Sequence, residues 1–377
     1  MGFTKPDFKN SVLNVTATLA EYFNAPNKNA IIPSLKEELD KNYETVVFLL
    51  FDGMGMHPLN VNAPKDGFLH RNIKAVLTST FPSTTTNATT SVNTNLLPLE
   101  HGWFGWILHF KEIGKHVALF SHVDALTGEK VDFKYPIKPS DDYWFNYANT
   151  DYEITTVMPR YCKGGKSNSV IIHTVEECLS AVQSLCDKDG KQFVFTYCPD
   201  PDMTMHDYGV TSIETKRVIE AISDGLLELQ KRTKNTLFIV VADHGQVDVK
   251  GEVDFYKDQE LNDLLLCPAF LDARTPAFWV KPDKKAEFEE KFTNRYGKDF
   301  VLYKTEDLIR EGYFGDRGEY GYLLGDYIAI GTDTDKLFNP IPPRKGDDGF
   351  KFKGHHTSLT REMTVPLIFF SSDDDKQ

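Results

Sequence analysis

Three uninterrupted apolar runs constrain this chain most, because each leads to an acid or an imidazole. Thr45–Phe51 (TVVFLLF) runs into Asp52-Gly53, and residues 236–242 (TLFIVVA) run into Asp243-His244-Gly245. Residues 193–197 (FVFTY) lie a few positions before Asp202 and His206. Runs of Val, Ile, Leu and Phe without polar alternation mark strands buried on both faces, as in a parallel sheet covered by helices. In open sheets of that kind, ligands bind beyond the carboxyl ends of the strands. The runs therefore predict an α/β fold with a mostly parallel central sheet flanked by helices. They also bring three Asp and two His to one edge of that sheet, and a metal site is the expectation.

The rest of the chain fits this frame. At 377 residues it can hold one large α/β core with an insertion. A net charge of −13 argues against a nucleic-acid polymer as partner, because neutralising phosphates needs clustered Lys and Arg. A small phosphate ester stays possible, since bound metal reverses the local sign. The five cysteines lack CxxC spacing and read as reduced core thiols, which places the protein in the cytoplasm. The N-terminus shows no export signal, and no stretch approaches 18 apolar residues, so no membrane association is expected.

Up to about residue 240, strand and helix patterns alternate. Helices are predicted over 33–42 and 86–97, and another opens at the capping pair Thr174 and Glu177. The stripe Val218, Ile222, Leu226 and Leu229 marks a further helix, and residues 77–81 read as a strand. From 268 to 343 a β-α-β-α-β pattern follows: strands at 277–280, 300–303 and 326–330, a helix capped by Asp283, and a short helix at 305–311. This predicts a small α+β subdomain, 268–343, inserted into a core of 1–267 and 344–377. Its joint is at 340–346, and an acidic tail follows at 373–375. The chain re-enters the core through Gly354-His355-His356 and a strand at 365–370.

Singly, the chemical signals are weak. Asp52 could be a turn residue, and His206 a surface histidine. The spacing of Asp202 and His206 says more, because i, i+4 residues share one face of a helical turn. Gly245 lets the adjacent Asp243 and His244 leave regular structure and reach one ion. Mixed imidazole and carboxylate ligands suit Zn²⁺ or Mn²⁺ better than Mg²⁺ or Ca²⁺. The hydroxyl-rich segment 81–91 (FPSTTTNATTS) is either an N-capping loop or the seat of a nucleophile at a helix N-terminus, where free N–H groups attract phosphate. A Thr hydroxyl is almost never ionised at neutral pH, and a coordinated cation corrects that.

The ordered motifs FDGMG (51–55), FPSTTT (81–86), PDMTMH (201–206), ADHG (242–245) and GHH (354–356) resemble the alkaline phosphatase superfamily. Within it they are most similar to the type I phosphodiesterase/nucleotide pyrophosphatase family. The resemblance implies an alkaline phosphatase-like fold and two divalent ions, Zn²⁺ first and Mn²⁺ as the alternative. Asp52, Asp243 and His244 would hold the ion that also binds Thr85, the nucleophile. Asp202, His206 and His356 would hold the second. Thr85 is preferred to Thr84 by its distance from His101-Gly102, and His356 to His355 by the Gly-x-His pattern; His101 itself reads as a structural turn residue. Two positions depart from the family. Thr86 stands where an aromatic stacks on the base, and Trp106 where an Asn binds a phosphate oxygen, so both are candidate substrate contacts of a different kind. The aromatic stretch 142–147 is either an alternative platform or plain packing.

The implied activity is a metal-dependent phosphodiesterase or nucleotide pyrophosphatase acting on a small phosphate ester or nucleotide-like substrate. A phosphomonoesterase, a phosphonate hydrolase and a non-catalytic binding protein are the alternatives. The lack of a Lys or Arg clamp beside Thr85 favours diesters. No Cys or Ser stands in the CxPxR context of a sulfatase.

Overall fold

Seven strands make the central sheet of the computed structural model, which describes residues 2–162, 168–342 and 351–372. They are β1 (Thr45–Phe51), β2 (Ile73–Thr78), β3 (Glu153–Pro159), β4 (Asn168–Ile172), β5 (Gln192–Cys198), β6 (Thr236–Val241) and β7 (Thr364–Ser371), in the spatial order β2-β7-β6-β1-β5-β3-β4. The five strands from β6 to β4 pair in parallel. β7 is antiparallel to both β6 and β2, so β2 points the same way as β6. Every residue of β1 and β6 is buried, which is why their sequences show no polar alternation. Removing each such Val, Leu or Phe side chain from water contributes roughly 1.5–3 kcal/mol.

The helices that matter for the site are α1 (Val12–Tyr22), α2 (Thr85–Thr94), α3 (Val175–Cys186), α4 (Asp202–Tyr208) and α5 (Ile213–Arg232). Thr174 caps α3 by accepting from the Glu177 N–H at 3.2 Å. α2 is shorter than the predicted 86–97, because Asn95 takes a left-handed conformation and ends it. The strand predicted at 77–81 lies at Ile73–Thr78 instead. It is an edge strand with Lys74 and Val76 exposed, so it has no continuous apolar run to mark it. Asp283 caps nothing; it sits in a 3₁₀ turn, Pro282–Lys284, ahead of the helix Lys285–Tyr296.

A second sheet lies beside the first, with strands in the order 300–304, 327–331, 275–278, 270–272, 107–110, 115–118 and 123–124. Residues 268–343 supply four of them. The other three come from a meander at 107–124 whose strands, two to four residues each, are too short to read from sequence. The joint at 343–346, the boundary at 343/344 and the acidic tail 373–375 lie outside the described residues. Tyr143, Trp144 and Phe145 of the aromatic stretch are buried against Phe23, Phe193 and Phe195, so they are packing. None of the five cysteines is in a disulfide. Among the described residues, no helix is long and apolar enough to cross a membrane.

His101 fastens α2 to the turn at Gly102. Its Nδ1 accepts from the Trp103 N–H at 2.9 Å, and its Nε2 lies 3.0 Å from the Ser91 hydroxyl. Burial pushes its pKa down to about 3. The unfolded chain takes up a proton near the ordinary 6.5 and the folded chain does not, so this contribution is complete above 6.5 and fades as pH falls toward 3. Between pH 7 and 5 the loss through this residue should be about 2 kcal/mol. Urea unfolding at the two pH values should show that slope, and His101→Asn should flatten it. An unchanged slope in the variant would assign the effect elsewhere.

Candidate metal centre

Strand polarity gathers the site. β1, β5 and β6 are parallel neighbours, so the residues that follow them, Asp52, Asp202 and Asp243, emerge at one edge. β2 points the same way and hands the chain through residues 79–84 to Thr85, the first residue of α2. β7 is antiparallel and therefore starts at that edge, which brings in the preceding segment with His356. Gly53, at φ +72°, turns the chain sharply after Asp52, and a Cβ there would come within 2.9 Å of Asp202 Cβ. α4 then carries Asp202 and His206 on one face.

Thr85 Oγ1 lies 3.3 Å from both carboxylate oxygens of Asp52 and 3.1 Å from His244 Nε2. His244 Nε2 is also 3.4 Å from Asp52 Oδ1 and 3.3 Å from Asp243 Oδ2. On the other side, His206 Nε2 is 3.2 Å from Asp202 Oδ2, and His356 Nε2 is 3.8 Å from Asp202 Oδ1. The His244 and His356 rings stack at 3.9 Å between centroids. Two sets of ligand atoms lie within 4.8 Å of one another: Asp52, Asp243 and His244, and Asp202, His244 and His356. His206 flanks the second set through Asp202. His355 belongs to neither set, and its Nδ1 accepts from the His356 N–H at 2.9 Å.

Charge is unbalanced here. Burial, then Asp243 and Asp202, push the Asp52 carboxyl well above its usual range. Asp243 is also raised, chiefly by burial. Burial acts upward on Asp202 too, but His206 and His244 outweigh it and hold it at about 2. In return, Asp202 raises His206 against the effect of burial. Burial and the neighbouring imidazoles keep His356 neutral.

The donor set fits a divalent cation. His244 Nδ1 donates to the Gly245 carbonyl at 2.9 Å, which assigns the ring proton to Nδ1 and leaves a lone pair on Nε2. Asp243 Oδ2, which that lone pair faces, is buried with no hydrogen-bond donor. Two acceptors thus face each other with no donor group between them, and a cation would complete that arrangement.

Three neighbours escaped the sequence analysis. Tyr197, the last residue of the FVFTY run, donates its hydroxyl to Asp52 Oδ2 at 2.6 Å. Gln246 donates to Asp202. Asp272, at the end of a three-residue strand, accepts from the Thr84 hydroxyl at 3.3 Å and the Trp106 N–H at 3.4 Å on the same oxygen, and burial lifts its pKa to about 6. A polar ending on an apolar run was the available signal for Tyr197; Asp272 had none. Thr84 is the N-cap of α2, yet its hydroxyl caps no N–H. Thr86 is wholly buried, and Trp106 is half-exposed with its ring against Phe120.

Residues 46–333 match the family model described as type I phosphodiesterase/nucleotide pyrophosphatase. Among solved structures, murine ectonucleotide pyrophosphatase/phosphodiesterase 5 is similar at TM-score 0.60 and 19% identity, over 86% of this chain and 88% of that one. An inactive threonine-to-alanine variant of that murine protein, in complex with AMP, gives 0.59 and 19% over 87% and 88%. Phosphonoacetate hydrolase from Sinorhizobium meliloti 1021, in complex with phosphonoacetate, gives 0.60 and 14% over 86% and 89%. At such identities the likeness speaks for the mixed α/β fold. No curated protein sequence matches the chain.

Proposed function

The chain belongs to the type I phosphodiesterase/nucleotide pyrophosphatase family and is a phosphoric ester hydrolase; from that premise we propose that Thr85 is its nucleophile and that it works with two divalent ions on small phosphodiesters. The observation that carries the reading is the position of Thr85 Oγ1, at the start of α2 and within 3.3 Å of both Asp52 and His244. Asp52, Asp243, His244 and Thr85 would hold one ion, and Asp202, His206 and His356 the other, with Zn²⁺ favoured over Mn²⁺ by the imidazoles. When bound, the ions would lower the pKa of the Thr85 hydroxyl and offset charge on the phosphoryl oxygens.

Thr85 Oγ1 attacks phosphorus in line with the leaving oxygen, which departs as one alcohol while phosphothreonine forms. Water then attacks the phosphothreonine, returning the Thr85 hydroxyl and releasing a monoester. The N–H of Thr86, in the first turn of α2, has no partner within the helix and would donate to a non-bridging oxygen. Trp106 would offer its half-exposed ring to the leaving group. Tyr197 positions Asp52 through its 2.6 Å hydrogen bond. Among the described residues, the hydrogen-bond partners of Thr84 and Thr85 include no Lys or Arg, which suits the single charge of a diester better than a monoester dianion.

Assaying the purified protein with Zn²⁺ or Mn²⁺ against bis(p-nitrophenyl) phosphate, p-nitrophenyl phosphate, dinucleotides and phosphonoacetate tests the reading. Diesters should be cleaved fastest, with activity lost on chelation and restored by Zn²⁺. Turnover of monoesters or phosphonoacetate alone would overturn it. Asp243→Asn should lower bound metal from two ions toward one at this centre by elemental analysis, and an unchanged count would refute the ligand assignment. A cytoplasmic location belongs to the same proposal, supported by the five unpaired cysteines, and cell fractionation would check it.

A further inference from the structure

The second sheet holds a cluster the reaction does not use. His109 and His116 face each other across the antiparallel strands 107–110 and 115–118, directly paired in register. Both are buried, at 8% and 2% exposure. Cys267, a partly buried free thiol more than 150 positions on, completes a trio whose ligand atoms lie within 4.8 Å of one another. None of the three shares a hydrogen bond with the residues around Thr85.

The geometry points to a cation rather than to packing. His116 Nε2 donates to the Pro268 carbonyl at 2.8 Å, so its Nδ1 carries a lone pair. That outer hydrogen bond to a carbonyl is the one metal-bound histidines make. His109 Nδ1 stands 3.3 Å from His116 Nδ1. Two imidazole nitrogens at roughly 2.0–2.1 Å from one tetrahedral zinc ion are separated by about 3.3–3.4 Å. Thiolate with two imidazoles is a soft-to-borderline set that suits Zn²⁺ and disfavours Mg²⁺ and Ca²⁺.

We propose that His109, His116 and Cys267 form a structural Zn²⁺ site, separate from the centre around Thr85, with water as the fourth ligand. The ion would bind both Nδ1 atoms and the Cys267 thiolate. Binding releases the Cys267 proton to solvent, and His109 binds with its remaining proton on Nε2. The site would clip the hairpin at 107–118 to the segment leading into the 270–272 strand. Asp272 ends that strand, so the clip would also steady the Thr84–Trp106 side of the pocket.

Cobalt loading of the full chain separates this site from the other centre, whose proposed ligands include no sulfur. Wild type should show a sulfur-to-cobalt charge-transfer band, and Cys267→Ser should lose it. Asp243→Asn should keep it. Zinc-loaded wild type should carry one more equivalent of zinc than Cys267→Ser, and added Zn²⁺ should raise the melting temperature of wild type more than that of the variant. His109→Asn, with near-native circular dichroism, should also lose the band. No band, a band that persists in Cys267→Ser, or equal zinc counts would overturn the proposal and leave a hydrogen-bonded histidine pair. None of those results bears on Thr85.

Discussion

Thr85→Ala is expected to cut hydrolysis of bis(p-nitrophenyl) phosphate by at least about 10³-fold while the protein stays folded and keeps its metal. The substitution removes the only protein atom proposed to bond to phosphorus, and the side chains that remain can only position substrate. Stability should barely change, since Thr85 is at the first position of α2 and alanine is the better helix former. The cap residue Thr84 and the bond from Thr89 Oγ1 to the Thr85 carbonyl are untouched. Metal content separates the roles, because the proposed ligands Asp52, Asp243 and His244 remain in the variant. Thr85→Ser keeps a hydroxyl at the same place and should retain measurable turnover. Wild-type rates in Thr85→Ala would refute the nucleophile assignment, and lost metal with lost activity would reduce Thr85 to a ligand.

The largest stability effect is expected at Arg274, which is wholly buried. Its Nε donates to Glu362 Oε1 at 2.9 Å, and its Nη2 donates to the Thr332 carbonyl at 3.3 Å and the Thr360 hydroxyl at 3.4 Å and lies 3.7 Å from Asp335 Oδ1. Glu362 accepts in addition from the Ser358 N–H at 3.2 Å, and its carbonyl accepts from the Gly245 N–H at 2.8 Å. The pair thus ties the second sheet to the segment between His356 and β7 and to the loop after His244. Arg274→Met leaves the Glu362 carboxylate buried without its cation, which costs about 3–5 kcal/mol. Combining it with Glu362→Gln should cost less than the two single changes summed, because the Glu362 charge goes with its cation while Asp335 keeps Lys250 and Arg361. Denaturant unfolding of the four proteins measures both claims. A loss under about 1 kcal/mol in Arg274→Met would show that the pair carries little.

Much of the site was legible because it follows from local pattern. Buried parallel strands show as apolar runs, and the candidate ligands Asp52 and Asp243 stand where such runs stop, so both could be singled out from position alone. Helical spacing linked Asp202 to His206. Edge strands and short meanders carry no such pattern, so β2 was misplaced and the strands at 107–124 went unread. Their pairing depends on partners far along the chain, as does that of β7, which slots between β2 and β6.

The sequence alone thus determined which chemical groups exist, their order, and that buried strands would carry several of them to one edge. Tertiary structure decided the distances: Thr85 against His244, Tyr197 on Asp52, Asp272 beside Thr84, Arg274 on Glu362, and Cys267 near a histidine pair more than 150 positions away. The physical reason is range. Propensity and periodicity act over a few residues and leave a local trace, whereas contacts between distant segments form only when the whole core closes and leave none.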